Sequence, residues 1–174
     1  MVPTTLKKKA MTASDNHGLA PACFGSDKMV SVLAVSPLEE DHVFLRHIFS
    51  HSNWVIHSAR SCTEAFGFLD ARATPVVVCE RNLPDGTWQE LLIALERMRP
   101  PPLLIVTSRA ADDFLWAEVL NLGGYDVLVK PFDPSEVVRV VSLAWLHWKN
   151  QRDRAGGSRQ VAPAQPRISG SGIR

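Results

Sequence analysis

The sequence predicts an α/β fold with a five-stranded parallel sheet and five helices on its two faces, and three observations predict it. Short apolar, β-branched runs alternate with stretches of helical periodicity five times between residues 30 and 149. The first of these runs, Val30 to Val35, is largely apolar and β-branched, as a strand covered on both faces is. Caps, glycine or proline punctuate the helical stretches. Right-handed crossovers between parallel strands then place helices on each side of the sheet.

Each element has its own reason. Val30 to Val35 is a buried-strand run that stops at Ser36-Pro37. From Glu39 to about Ser50, Phe44, Leu45, Ile48 and Phe49 repeat with helical spacing, and Glu39, Glu40 and Asp41 occupy the first turn, where the helix dipole favours negative charge. These acids read as solvated surface charges. Trp54 to Ala59 is the second strand. Ser61, with Glu64 three residues on, opens a capped helix through about Arg72 that buries Ala65, Phe66 and Leu69. Val76 to Cys79 is the third strand, and Leu83-Pro84-Asp85-Gly86 is a turn. Thr87 caps a helix carrying Trp88, Leu91, Leu92 and Leu95 until Pro100, Pro101 and Pro102 end it. Leu103 to Thr107 is the fourth strand. Leu115, Val119 and Leu122 make the next helical stripe, stopped by Gly123-Gly124. Asp126 to Val129 is the fifth strand, and Asp133-Pro134-Ser135-Glu136 opens a last helix to about Lys149.

Composition bounds the rest. The 174 residues are 45% apolar with a formal net charge of +1, which suits one domain with tails. Its longest near-continuous apolar stretch, Val137 to Leu146, is interrupted by Arg139 and Ser142 and is too short for a membrane span. Cys23, Cys62 and Cys79 form no Cys-x-x-Cys pair, so neither a disulfide framework nor a zinc site is indicated. No signal-peptide core follows Lys7, Lys8 and Lys9, and a cytoplasmic location is expected. Residues 1–29 read as a flexible leader and residues 150–174 as a disordered basic tail. The net charges of leader, central segment and tail are +2, −5 and +4, a distribution that the whole-chain charge conceals.

Function in such folds gathers at the carboxyl ends of the strands. The residues leaving those ends are Ser36-Pro37, Glu80, Thr107-Ser108 and Lys130-Pro131. With Lys130-Pro131-Phe132 after the fifth strand, Thr107 followed by small Ser108 after the fourth, and Leu83-Pro84-Asp85-Gly86 after the third, residues 30–149 resemble the receiver domain of bacterial two-component response regulators. The resemblance implies a flavodoxin-like sheet in the order 2-1-3-4-5. In that family an acidic pair after the first strand holds magnesium and an aspartate after the third accepts a phosphoryl group from a histidine kinase. Here the pair aligns with Ser36 and Pro37 and the aspartate with Glu80, a degenerate phospho-acceptor site. Proline offers no ligand, so no metal or other cofactor is expected. The resemblance also implies a cis Lys130-Pro131 bond that aims the lysine into the cleft. The family's aromatic switch position is Val127, which removes the usual relay from Thr107; Tyr125 lies two residues earlier.

Glu80 is one methylene longer than aspartate, which predicts an ion pair with Lys130. Two readings of that pair stand side by side: a permanent partial mimic of the phosphorylated state, or a relic cleft that biases nothing. His47 and His51, spaced i and i+4 on the first helix with His42 a turn back, read as exposed histidines rather than metal ligands, and His57 has no identifiable partner. Cys79 and Cys62 read as structural residues without a base to activate them. On the last helix, Val137, Val138, Val141 and Trp145 are expected to face the sheet. Val140, Leu143 and His147 then point away and, with Trp116 and Leu120, form a partner surface.

The chain therefore reads as a phosphorylation-independent, receiver-like signalling protein and not an enzyme. Its expected partner is a histidine kinase, another receiver or an output protein, or a second copy bound through the last two helices. The rival readings are a receiver that phosphorylates on a neighbouring carboxylate such as Asp85, and a nucleic-acid accessory factor using the arginine tail. The tail has no aromatic residues for stacking, so tethering or solubilising is its favoured role.

Overall fold

The computed structural model describes residues 29–157. The expected leader, 1–29, lies outside the described residues except for residue 29, and so does the expected disordered tail, 150–174, from residue 158 on; residues 150–157 are helical instead.

Five strands form one parallel sheet: β1 (Val30–Val35), β2 (Trp54–Ala59), β3 (Val76–Glu80), β6 (Leu103–Ser108) and β7 (Asp126–Val129). Their spatial order is β2-β1-β3-β6-β7, so β1 and β3 sit side by side at the point where the chain reverses direction across the sheet. Between β3 and β6 lies a small antiparallel hairpin, β4 (Asn82–Leu83) and β5 (Gly86–Thr87), built on the expected turn. Five helices connect the strands: α1 (Glu39–Phe49), α2 (Cys62–Ala71), α3 (Trp88–Glu96), α4 (Asp113–Leu122) and α5 (Pro134–Gly157). This is the predicted flavodoxin-like architecture, with the predicted strand order.

Strand alternation divides the core in two. Leu33, Val35, Val77, Cys79, Leu104, Val106 and Val127 point to one face and pack under α2, α3 and α4. Val32, Ala34, Val76, Val78, Ile105 and Leu128 point to the other, under α1 and α5. The helix ends follow their sequence signals. Ser61 Oγ accepts from Glu64 N at 3.2 Å, Asp112 caps α4 through Leu115 N at 2.9 Å, and Asp133 accepts from Glu136 N at 2.9 Å. Gly123 ends α4 with φ of 101°, a left-handed conformation that only glycine adopts without strain.

Three expectations are corrected. Val140 is buried and Val138 is 41% exposed, the reverse of their predicted orientations. The buried stripe of α5 is Val137, Val140, Val141, Ala144 and Trp148, with Trp145 only partly buried at its side. The difference is a rotation of the helix that puts small Ala144, not the bulkier Trp145, in the buried stripe. Secondly, α5 does not stop near Lys149 but continues through Gly157. Here Gln151 Nε2 meets His147 Nε2 at 3.2 Å, one turn apart, and the Arg152 guanidinium lies 5.1 Å from the Trp148 ring centre. Thirdly, α1 ends at Phe49, so His51 falls in the following turn and does not share a helix face with His47.

Candidate functional site

At the carboxyl edge of the sheet, register alone brings the predicted residues together. Glu80 is paired with Thr107 across β3 and β6, and Lys130 N donates to Ser108 O at 2.9 Å just beyond β7. The Lys130–Pro131 and Arg99–Pro100 bonds are cis; the second carried no sequence signal. Lys130 Nζ contacts Glu80 Oε2, and Thr107 Oγ1 lies 3.4 Å from the same carboxylate oxygen, a long bond. Ser36, Thr107, Ser108 and Lys130 are all buried, and Pro37 is exposed.

Asp41 overturns the reading of the first-turn acids as surface charges. Glu39 and Glu40 are exposed and form ion pairs with Arg46, Arg60 and Arg109. Asp41 is buried, and its Oδ2 lies 2.5 Å from Lys130 Nζ and 2.5 Å from Ser36 Oγ, which donates to it. A helical side chain leans toward the N-terminus of its helix, so the third residue of α1 reaches back over the end of β1. The ammonium is itself buried, with 4% of the side chain exposed, and a buried charge requires charged and hydrogen-bonding partners. Helix-end acids are common on surfaces, so spacing carried no signal for this role. Pro37 is the one hint, because it leaves Lys130 without the carboxylate that a more usual residue there would offer.

His42 is corrected as well: it is fully buried, and its Nε2 donates to Ser36 O at 2.8 Å, while Nδ1 has no partner among the described residues. His47 and His51 are exposed. The His57 ring lies against that of Phe68, tilted by 41° with 4.7 Å between ring centres, and burial lowers its pKa. Burial pushes the Cys62 thiol up to about 11 and the Cys79 thiol higher still, which leaves both protonated at neutral pH.

Asp85 is committed elsewhere. Its carboxylate accepts from Thr63 N at 2.9 Å, Thr63 Oγ1 at 2.7 Å and Cys62 N at 2.7 Å, fastening the β4–β5 turn to the first turn of α2. The hydrogen bonds from Thr63, then from Cys62, hold its carboxyl down to about 2. Val127 is buried in the core under α4, and Tyr125 is partly buried, its ring 5.8 Å from His147. Trp116, Leu120 and Leu143 are 39%, 48% and 47% exposed and His147 is exposed, while Val140 lies in the core and leaves the predicted partner surface.

These side chains bear on magnesium, which the receiver resemblance brings with it. Among the described residues no group of three or more His, Cys, Asp or Glu is arranged to hold a metal ion. Asp41 and Glu80, the two carboxylates of the cleft, both contact the ammonium of Lys130, so the cation between them is a side chain. Magnesium binds through one or two carboxylates and completes its octahedron with water, and here both carboxylates are already paired with the ammonium, so the donor set does not fit it.

Comparison with known proteins agrees with the fold. Residues 40–142 match the response regulator receiver domain family. The signal receiver domain of an HD domain-containing protein from Pseudomonas fluorescens Pf-5 is similar, with 25% identity over 77% of this chain and 99% of that one and a TM-score of 0.68. The chemotaxis response regulator CheY4 of Vibrio cholerae is 19% identical over 67% of this chain and 99% of its own, with a TM-score of 0.62. NtrX from Brucella abortus is 18% identical over 74% of this chain but 29% of its own, with a TM-score of 0.67. No curated protein matches the sequence.

Proposed function

The chain belongs to the response regulator receiver domain family, and from that premise we propose that it is a phosphorylation-independent member acting as a regulatory protein–protein interaction module. The observation that carries this reading is Lys130, buried and held between Asp41 and Glu80. Phosphoryl transfer needs a carboxylate free to attack and a cation to neutralise developing charge. In this cleft the acceptor position is glutamate, its carboxylate is engaged, and the neighbouring acid is spent on the same ammonium. The chain is then a binding protein and not an enzyme.

The contact surface is the side formed by α4, β7 and α5, where Trp116 and Leu120 on α4 and Leu143 and His147 on α5 are exposed. A kinase, a receiver, an output protein or a second copy of the chain is the partner class that the family supplies. No described helix is long and apolar enough to cross a membrane. Phosphorylation of Asp85 is the weaker reading, because both of its oxygens are already bonded. Nucleic-acid binding is weaker again. The tail has no aromatic residue on which bases could stack, and of its described arginines Arg152 lies over Trp148 and faces Asp153.

Two measurements test the proposal. Intact-mass analysis after incubation with acetyl phosphate and magnesium is expected to show no adduct; a phosphoryl adduct at Glu80, Asp41 or Asp85 overturns phosphorylation independence. Capture from native extract with wild type, Leu143→Asp and Glu80→Gln is expected to lose its partners only in the first variant. Partners retained by Leu143→Asp remove the α4–α5 surface, and partners lost by Glu80→Gln make that carboxylate an activation mimic.

A further inference from the structure

The charged cleft has more connections to α1 than to any other helix. Asp41 joins Lys130 to the first turn of α1, Ser36 Oγ and Ser36 O tie Asp41 and His42 to the end of β1, and Arg109, in the loop after β6, pairs with Glu40 at 2.5 Å. The Lys130 ammonium also lies 5.5 Å from the ring centre of Phe132, which stacks on Phe44 of α1 at 5.5 Å and an interplanar angle of 28°. A charge contact and a ring contact thus fasten the corner between β7 and α5 to the same helix.

The connection toward α4 is thin by comparison. Thr107 Oγ1 reaches Glu80 only at 3.4 Å, and the position beneath α4 holds Val127, a small side chain packed in the apolar core. The first turn of α4 is capped by its own Asp112, not by a cleft residue.

We infer that Lys130 is a latch on α1, so that a change in the charge of the cleft loosens or tightens α1 and leaves α4 undisturbed. The latch has a sign. With Glu80 neutral, the ammonium has Asp41 as its one charged partner and α1 is held as firmly as before or more so. With Lys130 neutral or Asp41 uncharged, the contact that ties the first turn of α1 to the corner is lost. The partner surface on α4 and α5 is then constitutive, and the regulated element is α1, whose Val43 is 53% exposed. This holds whatever the α4–α5 surface binds, so each idea can fail without the other.

Amide hydrogen exchange on the full chain, read as the ratio of protection in residues 41–49 to that in residues 113–122, tests it. Taking the ratio removes any global loss of stability, which would accelerate both helices. In Lys130→Met and Asp41→Asn the α1 amides are expected to exchange about fivefold faster or more relative to α4, and in Glu80→Gln to be unchanged or slower. If Lys130→Met does not fold, Asp41→Asn, which keeps its shape and one acceptor oxygen, carries the test. Equal acceleration of both helices, acceleration confined to α4, or a Glu80→Gln variant that loosens α1 as Lys130→Met does would each overturn the latch.

Discussion

Replacing Lys130 with methionine should be among the most damaging single substitutions in the cleft. The side chain is 4% exposed and its ammonium contacts two carboxylates, of which Asp41 is 7% exposed and Glu80 16%. Methionine fills similar volume, so the loss is electrostatic and not a cavity. Removing one partner of a buried ion pair costs about 3–5 kcal/mol, because a charge is left without compensation. Here two carboxylates are left facing each other, which places the expected loss at the upper end, about 4–5 kcal/mol. For a domain of this size each kcal/mol corresponds to roughly 3–4 °C in Tm, so a fall of about 12–20 °C is expected. Urea and thermal unfolding of wild type, Lys130→Met and the triple variant Asp41→Asn/Glu80→Gln/Lys130→Met supply the assay. Neutralising all three groups removes the uncompensated charge, and the triple variant should recover most of the loss. A single-variant cost below about 1 kcal/mol, the range of exposed ion pairs, would refute the buried-charge reasoning. A triple variant no more stable than Lys130→Met would refute it as well.

Two further outcomes follow from features outside the cleft. Asp85 is held down to about 2 from an ordinary value of 3.8 by the hydrogen bonds from Thr63 and Cys62, so its contribution is present above pH 4 and lost as the pH falls toward 2. The stability difference between wild type and Asp85→Asn should therefore shrink between pH 5 and about 2 in unfolding titrations, and a difference constant across that window would contradict the assignment. On α5, Val140→Ala should cost about 2–3 kcal/mol from lost burial and the cavity left behind, while Val138→Ala stays within about 0.5 kcal/mol. Equal costs in chemical unfolding, or a larger cost at Val138, would contradict this orientation of the helix.

Most of the fold was legible because its signals are local and mutually consistent. Val30–Val35 and Trp54–Ala59 declare themselves through composition and Ser61 through its capping partner, and Gly123 marks the left-handed stop of α4. The Glu80–Lys130 contact was legible for a different reason: both residues sit at strand ends, and a parallel sheet in this order brings those ends together. Asp41 was not legible. In sequence it is the third of three consecutive acids in a first turn, and only the three-dimensional position of Lys130 separates it from Glu39 and Glu40. His42 likewise carries no mark of burial, since its one hydrogen bond goes to a backbone carbonyl six residues earlier. The rotation of α5 escaped because Val137, Val138, Val140 and Val141 are alike in side chain and their order does not say which pair faces inward. The end of α5 escaped because Asn150 to Gly157 holds no apolar residue other than Ala155, and its helical form rests on being contiguous with a packed segment.

That same helix gives the molecule an asymmetric outline. Its 24 residues make a rod of about 36 Å, against roughly 20 Å for a six-residue strand. Among the residues of α5 whose burial is described, Trp148 is the last buried one, and from Lys149 through Ala155 every side chain is exposed. The final nine residues overhang by about 13 Å. The helix is packed through Trp148, so only the overhang is free to bend, and a tilt of about 10° there would carry its far end through roughly 2 Å. At its other end the helix starts beside the corner Lys130-Pro131-Phe132, so the longest described element runs from the most heavily bonded point of the cleft to an end whose side chains are exposed through Ala155.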